Sequence, residues 1–125
     1  MAKDIKKEIK PQKQAIKEAV CKAKYLRVSP PKIRLVVNLI RGENLAKAQD
    51  QLQNINQAAS KVVAKVLKTA ASAANDKDMD KEMLYIKEIR CDEGPSMKRF
   101  LSHSRGRVTT IKKRSSHLMV VLGER

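Results

Sequence analysis

Few residues of this chain are spaced for bond-making chemistry. Asp92 and Glu93 are adjacent, so along a strand their carboxylates diverge and cannot work on one substrate. His103 and His117 have no carboxylate or cysteine at a useful spacing. Asp76, Asp78 and Asp80 imitate the opening of a calcium loop, but the sixth position is Lys81 rather than Gly and the twelfth is Lys87 rather than Glu. Cys21 and Cys91 are far apart and carry no metal spacing; they read as small buried residues. There is no glycine-rich phosphate loop and no nucleophile elbow. No enzyme, cofactor or metal is expected. The chemistry that remains is neutralisation of anions. Residues 96–117 hold Lys98, Arg99, Arg105, Arg107, Lys112, Lys113 and Arg114 without one carboxylate, and Phe100 as their single aromatic.

The whole chain shares that bias. Its 125 residues suit one domain, with a formal net charge of +15 and a pI near 10.1. An acidic partner follows: nucleic acid first, an anionic membrane surface second. Aromatics make up only 2% of residues, so the core must be Val, Ile, Leu, Met and Ala. The N-terminus MAKDIKKEIK lacks the apolar segment of a signal peptide, and a cytoplasmic protein is the expectation. The charge is also segregated. Residues 1–41 carry +9, residues 42–89 balance to zero, and residues 90–125 carry +6. Charge serving solubility alone would be mixed along the chain, so two basic ends point to a binding footprint.

The elements that position these cations read as follows. Residues 1–18 are a Lys-rich tail with a short helix around Ala15. Residues 20–28 alternate as a strand, with Cys21, Ala23 and Tyr25 on one side and Lys22, Lys24 and Leu26 on the other. Ser29-Pro30-Pro31 starts a helix. Ile33, Val36, Val37 and Ile40 form its buried stripe, Arg34, Asn38 and Arg41 fall opposite, and Gly42 stops it. Asn44 caps a second helix that turns Leu45, Ala48 and Leu52 inward. A third runs over residues 57–75 after Asn56, burying Ala59, Val63, Val66, Ala70 and Ala73 and leaving Lys61, Lys65 and Lys68 outside. Strands follow over 83–91 and 111–122. Leu84 and Ile86 are out of phase with Ile89 and Cys91, which a bulge or a change of face near Glu88 would explain. Between these strands the basic stretch must form an arm. Roughly ten residues a side at about 3.3 Å each reach about 30 Å. With no core of its own, its outer half should be mobile until a polyanion orders it.

The residues also carry a resemblance. Arg27-x-Ser29-Pro30-x-Lys32-x-Arg34-Leu35-Val36, Ile40-Arg41-Gly42, Asp92-Glu93-Gly94-Pro95, Lys98-Arg99, Gly106-Arg107 and Ser116-His117, in this order, resemble the bacterial L twenty-two family of large-subunit ribosomal proteins over about residues 19–122. The resemblance implies an α+β fold: three helices packed on a small antiparallel three-stranded sheet, with a long protruding basic β-hairpin at about 88–114 of a single RNA-binding domain, 19–125. It implies a structural part in the large subunit. The body would bind large-subunit ribosomal RNA beside neighbouring ribosomal proteins, and the hairpin tip, residues 97–103, would lie against the nascent peptide at the exit-tunnel wall. That tip comprises Met97, Lys98, Arg99, Phe100, Leu101, Ser102 and His103. This chain departs from the pattern at Ser102-His103-Ser104, where the family usually has Pro-Arg-Ala, so one tip cation becomes a histidine.

Residues and resemblance together nominate the RNA contacts. They are Lys22, Lys24, Arg27, Ser29, Lys32, Arg34 and Arg41 in the body, Lys98, Arg99, Phe100, His103, Arg105 and Arg107 in the arm, and Lys112, Lys113, Arg114, Ser116 and His117 at its return. The arginines suit bidentate phosphate contacts or stacking on bases. Phe100 reads either as a stacking platform or as a clip between the arm strands. An architectural DNA binder with a basic β-arm would also explain the charge. It would be a dimer, and no dimer seam is visible. A membrane-surface protein would need bulky apolar anchors that the helices lack. Neither a membrane nor a second copy is an expected partner.

Overall fold

The computed structural model describes residues 17–124. Along the chain lie β1 (Glu18–Leu26), α1 (Pro30–Ile40), α2 (Leu45–Asn54), α3 (Ala58–Asp76), β2 (Leu84–Glu93), β3 (Met97–Ser102), β4 (Val108–Lys113) and β5 (Ser116–Glu124). One antiparallel sheet has the order β1-β5-β2, and a second, separate ladder pairs β3 with β4. This is the expected α+β architecture. The tail and the helix expected at Ala15 fall largely on residues outside those described; from Glu18 the chain is already strand.

The helices form where the apolar period demands. Pro30 opens α1, and the Ser29 carbonyl, not its hydroxyl, accepts from the backbone N–H groups of Lys32 and Ile33. Ile33, Val36, Val37 and Ile40 are buried. Gly42 then takes φ +78°, and a Cβ added there would meet nothing within 4 Å, so backbone freedom rather than space explains the glycine. Asn44 makes no side-chain cap and instead bridges to Tyr85 of β2. In α3, Gln57 is the cap position rather than Asn56. The buried Ser60 hydroxyl donates to the carbonyls of Gln57 (2.6 Å) and Ile55 (3.1 Å) and fixes the helix entry. The small buried face of α3, Ala59, Val63, Ala70 and Ala74, lets it pack closely on β1 and α2.

Both edge strands of the sheet slip phase once. In β2, Ile86 faces Leu122 and Glu88 faces Val121, so Lys87 is the extra residue and both Ile86 and Ile89 point inward. The out-of-phase pattern predicted this. In β1 the slip lies between Ala23 and Leu26, where Tyr25 adopts φ 60°. A non-glycine residue there costs on the order of 1–3 kcal/mol. The slip corrects the expected facing: Leu26 packs against the core, while Tyr25 turns outward and is 64% exposed.

The outer edge of β2 is covered by helix side chains. Arg34 donates through Nε and Nη2 to the Cys91 carbonyl (3.4 and 3.3 Å), and Arg41 through Nη2 to the Ile89 carbonyl (3.2 Å). The Ile86 N–H donates to the Glu43 carbonyl at 3.0 Å. Two residues expected to be merely solvated or RNA-facing thus also seal an edge that would otherwise offer free carbonyls to another chain.

The main sheet ends at the Glu93–Ser116 pair, and the arm ladder begins at Met97–Lys113. Between them the Gly94 N–H donates to the Ser115 carbonyl (2.9 Å), and the Ser115 hydroxyl donates to the Pro95 carbonyl (2.6 Å). A Cβ on Gly94 would lie 2.5 Å from Ser115 Oγ and 3.2 Å from the His117 ring. Gly94→Val should therefore cost about 1–3 kcal/mol through overpacking of this joint, read as a lower urea midpoint. An unchanged midpoint would show that the joint has room to relax. Every residue of β3 and β4 is exposed. A buried Leu or Ile contributes about 1.5–3 kcal/mol, and the arm has none.

Candidate nucleic-acid interface

Where the arm leaves the body, a groove of about 1180 Å³ opens between them. One wall is the turn from β1 into α1, with Tyr25, Arg27, Val28, Ser29, Lys32 and Leu35. The other is the arm base, with Pro95, Met97, Arg99, Lys112, Lys113, Arg114 and Ser115; Gln57, Ala58 and Ala59 at the start of α3 close the end. Among the described residues, the lining holds six cations and no carboxylate. Arg114 has Glu93 at 3.7 Å, but both side chains are more than half exposed, so that pair is worth at most about 1 kcal/mol. The local field stays strongly positive.

The arm continues that charge. Its register sets Lys98 directly opposite Lys112, and like charges so placed disfavour the ladder until an anion lies between or beside them. Met97, Arg99 and Leu101 share one face with Thr109, Ile111 and Lys113; Lys98, Phe100 and Ser102 share the other with Val108, Thr110 and Lys112. Phe100 stands opposite Thr110 and is 79% exposed, so it does not clip the strands together. The arm turns at Ser104–Gly106, where Arg105 and Gly106 have positive φ (64° and 71°), so the tip expected at 97–103 is displaced: Met97 stands at the arm base, and only Ser102 and His103 of that set adjoin the turn. The His103 N–H donates to the Arg107 carbonyl (2.7 Å), and its Nε2 lies 2.7 Å from Thr109 Oγ1. His103 therefore braces the tip as well as lying on it.

The nominated body residues divide. Lys22, Lys24, Arg27 and Lys32 are exposed. Arg34 and Arg41 are exposed too, yet part of each guanidinium is committed to β2; with five donors apiece they retain N–H groups for a phosphate. Ser29 is half-buried. Ser116 is a correction: its side chain is fully buried and its hydroxyl donates to the Val28 carbonyl at 2.9 Å, fastening the β1–α1 turn to β5. His117 is half-buried, and its Nδ1 accepts the Tyr25 N–H at 3.1 Å. Ser116 holds the groove's wall rather than facing a ligand, and His117 braces that wall through Tyr25. Tyr25, which the residue pattern turned inward, is the aromatic of that wall. The available signal was Leu26, whose inward facing requires a slip just before it.

The cysteines play no part in the groove. Cys91 is buried and Cys21 half-buried, and desolvation pushes both thiols up; for Cys91 a hydrogen bond from Ser116 and the nearby Arg34 partly oppose this. A raised folded-state value means that their stabilising contribution is complete below the unfolded thiol's value of about 8.5, and is lost as pH rises through the folded one. Iodoacetamide at neutral pH should label the native protein more slowly than the urea-unfolded chain. Equal rates would show that the thiols are not protected.

An α+β body carrying a cationic arm and a carboxylate-free groove has the charge and shape of a structural protein suited to an anionic partner. Among the described residues no helix is long and apolar enough to cross a membrane. The family described as Ribosomal protein L22p/L17e matches residues 21–123. The chain is 50% identical over 109 residues to "Large ribosomal subunit protein uL22" of Thermus thermophilus, covering 86% of this chain and 96% of that protein. The protein of the same name from Syntrophus aciditrophicus is 46% identical over 109 residues, covering 86% and 99%. That from Deinococcus radiodurans is 42% identical over 121 residues, covering 96% and 90%. The chain belongs to the ribosomal protein L22p/L17e family: it is a structural constituent of the ribosome and not an enzyme.

Proposed function

We propose that the chain binds large-subunit ribosomal RNA through the groove and the arm, and that the arm tip lies along the wall of the nascent-peptide exit tunnel. The observation that carries the RNA reading is the six-cation, carboxylate-free groove, continuous with an arm that buries nothing of its own. An arm with opposed lysines and no core gains both charge neutralisation and order from a polyanion. Arg27, Lys32 and Arg114 contact phosphates at the mouth of the groove; Lys98, Arg99, Arg105, Arg107, Lys112 and Lys113 follow the backbone along the arm. RNA is recognised here chiefly through shape and splayed bases, with little base-edge readout. Phe100, exposed near the middle of β3, presents its ring at the tunnel surface on the arm face opposite Met97 and Leu101. Leu39, 59% exposed on α1 and outside the groove, faces neighbouring ribosomal proteins.

The family supports the tunnel reading, and the fold supplies its means: an arm whose strand residues are all exposed and which projects beyond the end of the main sheet. Competition binding tests the RNA reading. Transcribed large-subunit RNA should displace the protein from duplex DNA of equal phosphate concentration. A preference for the DNA would overturn it and favour an architectural DNA binder.

A further inference from the structure

Tyr25 sits in the groove in a manner that charge alone does not explain. Its backbone holds φ 60°, a conformation that glycine would adopt without strain, yet a large aromatic occupies the position. His117 holds it twice: Nδ1 accepts the Tyr25 N–H at 3.1 Å, and the two rings meet edge to face, with centroids 5.1 Å apart and planes at 89°. The tyrosine is thereby braced by His117 while remaining 64% exposed. Around it the groove supplies Arg27, Lys32 and Arg114 but no carboxylate. A braced, exposed aromatic among cations is the arrangement that holds an unpaired base between phosphate contacts.

We infer that Tyr25 is a stacking platform for one unpaired RNA base, with the flanking phosphates taken by Arg27 and Lys32. The inference rests on the RNA reading above and adds to it a specific contact that discriminates looped from fully paired RNA. His117 is a positioning residue for this contact: it fixes the ring and the strained backbone without touching RNA.

Affinity for transcribed large-subunit RNA, measured across a salt series, tests this. Tyr25→Leu should bind about tenfold more weakly, the scale of one base–aromatic stack, with the salt slope unchanged because no phosphate contact is lost. Tyr25→Phe keeps the ring plane and should bind like the unaltered protein. Circular dichroism checks that both fold. A direct readout uses the chain's composition: it has two tyrosines and no tryptophan, so in a Tyr85→Phe background the emission comes from Tyr25 alone. Short oligoadenylate should quench that emission, and an RNA duplex should not. If the unaltered protein shows no preference for RNA over duplex DNA, the RNA reading fails and this inference with it. If it prefers RNA but Tyr25→Leu binds equally well, only the stacking is overturned, and the exposed ring serves a protein neighbour. A loss shared by Tyr25→Phe would also overturn it, since the plane is retained.

Discussion

A chain in which residues 97–113 are replaced by a short Gly-Ser turn is expected to fold like the full protein while losing most of the salt sensitivity of its RNA binding. The excised segment contains β3, the tip and β4, whose strand residues are all exposed and add nothing to the core. The main sheet ends before it, at the Glu93–Ser116 pair, and should be untouched. Six cations leave with it: Lys98, Arg99, Arg105, Arg107, Lys112 and Lys113. If each meets a phosphate, the slope of log affinity against log salt should fall in magnitude by about 4–5. The urea midpoint of the free protein should move by less than the equivalent of about 1 kcal/mol. An unchanged slope would show that the arm does not follow RNA, and a collapsed midpoint would show that the arm supports the body.

Arg34→Glu combined with Arg41→Glu should reduce the stability of the free protein by about 2–4 kcal/mol. Three N–H donors to the Cys91 and Ile89 carbonyls disappear, and hydrogen bonds from charged donors contribute roughly 1.5–3 kcal/mol each at best. The introduced carboxylates are acceptors facing acceptors. The bared β2 edge should also make the variant prone to association. Denaturant unfolding and light scattering would register both effects. Both arginines lie off the apolar stripe, so the residue pattern alone gives them a part in RNA binding and none in the fold. RNA affinity should fall as well, so the informative quantity is stability without RNA. If the midpoint is unchanged, the arginines are only solvated in the free protein.

Those two arginines show where sequence reading stopped. A helical period gives the direction of a Cβ, not the reach of a guanidinium that passes over the helix flank to a strand. The helices themselves were legible, because Ile33, Val36, Val37 and Ile40 leave no other face to bury and Gly42 marks the end. The irregularity at Lys87 was legible for a similar reason: two pairs out of phase call for a bulge or a change of face, and the register shows the bulge. The β1 slip was not. Cys21, Ala23 and Tyr25 continue an alternation that looks like a core face, and the partner that breaks it, His117, lies 92 residues away. Ser116 misled in the same way. Polar and set in a basic run, it reads as a contact residue, yet its bond to Val28 spans 88 residues. The cations were legible one by one. The groove was not, because it exists only where the β1–α1 turn meets the base of the arm.

Site-directed photo-crosslinking in intact ribosomes tests the central claim, that the body anchors on RNA while the arm borders the path of the nascent chain. A photoreactive phenylalanine analogue would replace Phe100 in one variant and Lys61, on the exposed face of α3, in another. Both would be incorporated into large subunits carrying a labelled, stalled nascent peptide. The expected result is a cross-link to the nascent peptide from position 100 and none from position 61, with cross-links from both positions to other subunit components. Subunits that contain the protein but yield no nascent-peptide cross-link from position 100, or yield one from position 61, would contradict the claim.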